Sequence, residues 1–116
     1  MKKLTGVRYT LLPLLLAGML FTVACEKVTI ADILADPGKY KDKKVGVVGK
    51  VTTSFGVLNM GGYEIEDSTG KIYVISNQGV PGKGQEVAVE GTVFTGAMVA
   101  GQAVGVAIRE TRHKVR

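Results

Sequence analysis

The chain has 116 residues, 15 Lys or Arg against 10 Asp or Glu for a formal charge of +5, and a single His and a single Cys. That length supports one domain with a modest core and no second one. One His and one Cys exclude the ligand clusters that zinc and other transition metals require.

The chain opens with Lys2, Lys3 and Arg8, followed by an apolar stretch from Leu11 to Ala24. Basic, then hydrophobic, then small is the order of a secretory signal. The stretch is 14 residues long and contains Pro13, whereas a membrane-spanning helix needs about 20 apolar residues. It ends in Phe21-Thr22-Val23-Ala24-Cys25, which resembles the lipobox of bacterial lipoproteins, with Thr22 where that family usually has Leu. The resemblance implies cleavage before Cys25, a lipid on its thiol and a domain tethered to a membrane. Thr22 and Ala24 also satisfy the small-x-small rule of an ordinary signal cleavage site, and both routes start the mature chain at Cys25. An exported chain usually pairs its thiols, so a lone cysteine favours lipidation. Glu26 stands where the inner-membrane retention signal of such lipoproteins is typically Asp, which implies outer-membrane delivery and a periplasmic setting.

Removing residues 1–24 leaves 92 of the 116 residues, with 12 basic against 10 acidic side chains and a net charge of +2. The basicity belongs largely to the signal. Charge therefore does not point to nucleic acid, which is not the expected partner.

In the mature chain, Thr29 is placed to cap a helix running to Asp36, with Asp32 three residues on as an acidic variant of the capping box. Ile30, Ile33 and Leu34 fall at helical spacing and predict one apolar stripe. Pro37-Gly38 ends the helix, and Lys39 to Lys44 reads as a solvated, charged connector containing Tyr40. Everything beyond is β structure. A first long strand over Val45–Thr53 carries Val45, Val47 and Val51 on one face and Gly49 between the last two, where it permits a bend. Tyr63–Glu66 and Lys71–Ile75 alternate around the turn Asp67-Ser68-Thr69-Gly70 and predict a hairpin. Glu86–Val93 is a fourth strand and Ala103–Glu110 a fifth, separated by the Gly/Ala-rich loop Gly96–Gly101. The predicted domain plan is a signal at 1–24, a lipidated Cys, helix and connector at 25–44, and a β domain at 45–116.

Five short strands and a bend-permitting glycine predict an all-β, five-stranded closed or partly closed barrel, because a flat sheet this small leaves aggregating edges. The pieces Asp-Ile-Leu-Ala-Asp-Pro-Gly-Lys-Tyr, Lys-Val-Gly-Val-Val-Gly-Lys-Val, Tyr-Glu-Ile-Glu-Asp-Ser-Thr-Gly-Lys-Ile-Tyr-Val and Gly-Gln-Glu-Val-Ala-Val-Glu-Gly-Thr-Val lie between Asp32 and Val93. Together they resemble bacterial OB-fold domains, including small exported OB proteins and OB domains of the tRNA-anticodon-binding type. Ser76–Gln85 is too short for the helix many OB folds place between strands 3 and 4, so the helix at Thr29–Asp36 is expected to cover the barrel end instead. The resemblance implies ligand binding on the face of strands 2 and 3 and the nearby loops Ser54–Gly56 and Gly96–Gly101. Its candidates are Phe55, Tyr63, Tyr73 and Phe94 for stacking, with Lys50 and Lys71 as cations. Tyr63 and Phe94 could equally fill the barrel.

Catalysis finds no foothold. Ser54, Ser68 and Ser76 lie in strand ends or turns, where serine serves backbone hydrogen bonds. Glu64, Glu66 and Asp67 read as a solvated face and turn without the dense acidic loop that calcium needs. Arg109, Arg112, His113, Lys114 and Arg116 read as a frayed basic tail, with acidic lipid head groups as the alternative role. The expectation is a membrane-tethered, non-catalytic OB-fold binding module without cofactor or metal, holding an envelope protein or small ligand. A binder of single-stranded nucleic acid or oligosaccharide is the alternative.

Overall fold

The structure, a computed structural model, describes residues 25–57, 60–99 and 101–116; the predicted signal at 1–24 lies outside the described residues. In chain order the elements are β1 (Glu26–Lys27), α1 (Ile30–Ala35), α2 (Pro37–Tyr40), β2 (Lys44–Val57), β3 (Met60–Glu66), β4 (Lys71–Ser76), β5 (Glu86–Val99) and β6 (Gln102–Val115).

Helix α1 starts as its sequence directs. Thr29 Oγ1 accepts from the Asp32 N–H at 3.2 Å and Asp32 Oδ2 accepts from the Thr29 N–H at 3.1 Å, closing a capping box. A second cap comes from the β3–β4 turn, where Asp67 Oδ2 accepts from the Ile30 N–H and Thr69 Oγ1 from the Ala31 N–H, both at 3.0 Å. The helix is thereby fixed on the sheet end, with Ile30 and Ile33 in the core. Leu34, predicted on the same stripe, is exposed instead, because a helix this short turns only part of its stripe inward. Pro37 does not simply stop the helix. It opens the one-turn α2, with Asp36 as N-cap, and buries Tyr40 in the core. The connector that follows is not free either: the Asp42 N–H donates to Val93 O at 2.8 Å and the Val93 N–H to Lys43 O at 3.1 Å.

All six strands form one sheet in the order β1-β2-β3-β4-β6-β5, and β2 also pairs with β5. The five long strands thus close on themselves. Closure depends on β2, which pairs with β5 over Lys44–Lys50 and with β3 over Lys50–Val57. Gly49 sits at the change of partner, where an added Cβ would stand 3.0 Å from Glu66 O and 3.1 Å from Ile65 Cβ; only a residue without one lets the strands cross so closely. Val45, Val47 and Val51 face inward onto Ile65, Ile72, Val74, Val87, Val89, Val93 and Ile108, all nearly or fully buried. Burying each such side chain is worth about 1.5–3 kcal/mol.

Three predicted boundaries move. The first predicted strand runs on to Val57, so that Ser54–Gly56, expected as a loop, pairs with β3 over Gly61–Tyr63. The segment Gly96–Gly101, read as a loop, belongs mostly to a long β5–β6 hairpin with register shifts between Phe94 and Met98; glycine and alanine provide no apolar contrast from which a strand can be read. The predicted frayed tail is also ordered as strand. β6 continues to Val115, and the Arg116 N–H donates to Glu86 O at 2.8 Å.

Candidate binding face and the surroundings of Cys25

Alternation along β4 sends Ile72 and Val74 into the core and leaves Tyr73 and Ile75 half-buried on the outside. The register then builds rows across the outer surface. Phe55 on β2 lies opposite Gly62 on β3, which lies opposite Ile75 on β4, and the Phe55 ring covers Gly62 where a side chain would otherwise stand. In the next row Thr53, Glu64, Tyr73, Ala107 and Phe94 follow one another across β2, β3, β4, β6 and β5. The Arg109 guanidinium stacks 4.5 Å from the Phe94 ring centroid. Three of the four candidate aromatics, Phe55, Tyr73 and Phe94, therefore share one outer surface. The β2–β3 tip lies at the Ser76 end of β4 and the β5–β6 tip beyond its Lys71 end, and near them Met60 and Met98 are 66 % and 61 % exposed.

The surface is close to neutral where the candidate cations stand. Lys71 pairs with Glu66 at 3.6 Å, and Lys50 lies opposite both Glu66 on β3 and Glu86 on β5. Glu64 accepts from the Thr52 hydroxyl at 2.8 Å. A strip in which each lysine faces a carboxylate does not make a cationic groove.

Tyr63, the fourth candidate aromatic, is fully buried and points the other way. Its hydroxyl donates to Glu110 Oε1, against which His113 Nδ1 also lies at 2.7 Å. Ser76 Oγ is 2.7 Å from Glu110 Oε2 and accepts from the Gln78 N–H at 3.1 Å. Burial first, and then the bond to Glu110, push the Tyr63 phenol far above the ordinary tyrosine range. This cluster is a buried tie between β3, β4 and β6, and His113 touches Glu110, not Ser76. Alternation from Ile108 turns Glu110 inward, and the shift of register between Glu90 and Gly91, which leaves Thr111 unpaired, then brings His113 rather than Arg112 to the inner side; that these side chains meet Tyr63 and Ser76 follows only from the strand pairing. Among the described residues no group of three or more His, Cys, Asp or Glu could hold a metal ion.

Asp67 links the site to α1. Burial raises its carboxyl, but the N–H groups of Ile30, Thr69 and Gly70 and the Thr69 hydroxyl outweigh this and hold it below the usual range. Cys25 stands just before β1, part-exposed, with its Sγ 3.4 Å from where a Cβ on Gly46 would be. It borders a half-open groove of about 530 Å³ floored by Val48 and Ala88.

No protein-family model matches the sequence, and no curated protein matches it. Solved structures do. The asparaginyl-tRNA synthetase from Pyrococcus horikoshii is similar over 79 % of this chain and 23 % of its own, at 25 % identity and a TM-score of 0.60. A putative aspartyl-tRNA synthetase from Leishmania major Friedlin is similar over 82 % and 22 %, at 14 % identity and a TM-score of 0.61. OBody AM3L09, solved bound to hen egg-white lysozyme, is similar over 66 % of this chain and 84 % of its own, at 17 % identity and a TM-score of 0.53. The chain has an OB fold. This OB domain spans less than a quarter of the synthetases it resembles. Fold is what these likenesses carry, and residues of the outer surface carry the rest.

Proposed function

We propose that this protein is a non-catalytic binding module, an OB barrel held at a bacterial membrane by a lipid on Cys25. It grips an envelope partner through the outer surface of β2, β3 and β4. The observation that carries the reading is the row arrangement of Phe55, Ile75, Tyr73 and Phe94 on one surface whose lysines already face carboxylates. Aromatic side chains give much contact area for little conformational entropy, and lysines that already face carboxylates favour a protein or uncharged ligand over a polyanion. OBody AM3L09 is an instance of a similar fold seated on a protein.

The test places a photo-crosslinking amino acid at Tyr73 in cells, with Lys83 as the control position. A discrete adduct from position 73 and none from 83 is the expected result; identical patterns from the two sites would overturn the choice of face. Intact mass and membrane fractionation of wild type beside Cys25→Ala test the tether, with acyl mass expected only on wild type. The likeness to two tRNA synthetases favours a second reading, single-stranded nucleic acid on the same surface. That reading requires oligonucleotide affinity that falls steeply with salt, and a loss of about 1–3 kcal/mol when Tyr73 or Phe55 becomes Ala.

A further inference from the structure

We infer that the outer face of β2, β5 and β6 beside Cys25 is a cationic plate that lies flat on an anionic lipid bilayer. Its orientation rests on the tether proposed above; its charge does not. The register assembles it from residues far apart in the chain. Lys27, Gly46, Glu90 and Arg112 form one row across β1, β2, β5 and β6. Val48, Ala88 and Lys114 form the next, and Lys44 and Thr92 lie in the row on the other side, beyond which Arg109 leans over Phe94 toward the aromatic surface. Inward-facing Val45, Val47, Val87 and Val89 alternate with these positions, so the plate's side chains point outward. Arg116 closes the corner against Glu86 at 3.7 Å.

The carboxylates on this face are already engaged. Arg112 holds Glu90 with two bonds of 2.7 and 2.9 Å, and Arg116 holds Glu86. Lys27, Lys44 and Lys114 make no ion pair among the described residues. Glu26 alternates to the other side of β1, and Asp67 at the groove's edge is bonded to three N–H groups of α1 and its own turn. Glu64 and Glu66 lie on β3, off the plate. A domain with a small net charge thus gathers an excess of cations on the side where Cys25 and the 41 % exposed Val48 stand. Cations near an anionic membrane surface gain attraction that falls off within a Debye length, so they act only if the plate lies close to the head groups. Cys25 beside the plate enforces that closeness. The outer face of β3 and β4, which carries Tyr73, then points away from the bilayer, toward a partner.

The test uses residues 25–116 with Cys25→Ser, since among the described residues the core cluster lies between Ile30 and Ile108. The chain is sedimented with vesicles of phosphatidylcholine alone or with about a third phosphatidylglycerol. Binding is expected only to the anionic vesicles at low salt, with release when salt shrinks the Debye length to about 3 Å. Lys44→Gln with Lys114→Gln is expected to weaken binding about 25-fold, at roughly fivefold per cation, whereas Lys39→Gln with Lys71→Gln removes the same charge off the plate and changes it less than about twofold. Absent binding, equal binding to neutral vesicles, equal loss from the two pairs, or preference for a single-stranded oligonucleotide at matched charge each overturns the plate. Acyl mass on wild-type Cys25 is read separately, so failure of the tether and failure of the plate are distinct results.

Discussion

Replacing Tyr63 by Phe isolates one buried hydroxyl. The ring stays in the core with no change of shape, and Glu110, whose side chain is inaccessible to solvent, loses one of its three partners. A hydrogen bond to a charged group is worth about 1.5–3 kcal/mol, a sizeable part of a total stability of about 5–15 kcal/mol. For a domain of this size the melting temperature should fall by about 6–20 °C. The phenol adds a signature in pH. Its proton is held far more tightly in the folded state than in the unfolded one, so its contribution is complete below about pH 10 and declines as pH rises and the unfolded phenol alone ionises. Urea unfolding followed by circular dichroism at neutral and alkaline pH should show wild type losing its advantage over Tyr63→Phe as pH climbs. Tyr63→Ala, which also opens a cavity, should cost about 3–5 kcal/mol. A Tyr63→Phe variant within about 0.5 kcal/mol of wild type at neutral pH would refute the buried tie.

Asp67→Ala removes the acceptor for Ile30, Thr69 and Gly70 and should cost about 0.5–2 kcal/mol at neutral pH in urea melts. Because that carboxyl titrates lower in the folded state, the wild-type advantage should fade as pH falls through and below about 4; a gap that persists at lower pH would contradict the assignment. Gly91→Ala would place a methyl group 2.6 Å from Ile108 Cγ2 and against Arg109 O, so a loss of about 1–3 kcal/mol is expected from the same melts, and an unchanged midpoint would show that β5 and β6 can separate there.

Much of the fold was legible because valine alternation and turn chemistry are local. Val45, Val47 and Val51, the turn Asp67–Gly70 and the Thr29 capping box each announce their element without reference to distant residues. Where local contrast vanished, so did legibility. Gly96–Gly101 has too little apolar contrast to be read as strand, and the cations from Arg109 to Arg116 look like a solvated tail until β5 pairs with them. For the site, Tyr73 was a candidate only through the OB-fold resemblance, and the burial of Ile72 and Val74 on either side of it leaves it on the outer face. Alternation with Glu64 and Glu66 put Tyr63 inward beside Ile65, but what satisfies its buried hydroxyl could not be read locally. Glu110 does so from 47 positions away.

The sequence by itself determined the all-β plan and the capped helix, because each depends on neighbours within a few residues. Tertiary structure alone decided which residues share a surface. A small net charge says nothing about its distribution. The closing of β2 onto β5, and of β5 onto β6, sets Lys27, Lys44, Arg112 and Lys114 in adjacent rows beside Cys25 and leaves Tyr73 outside them on β4. That separation follows from register, and register is a property of paired strands rather than of any one of them.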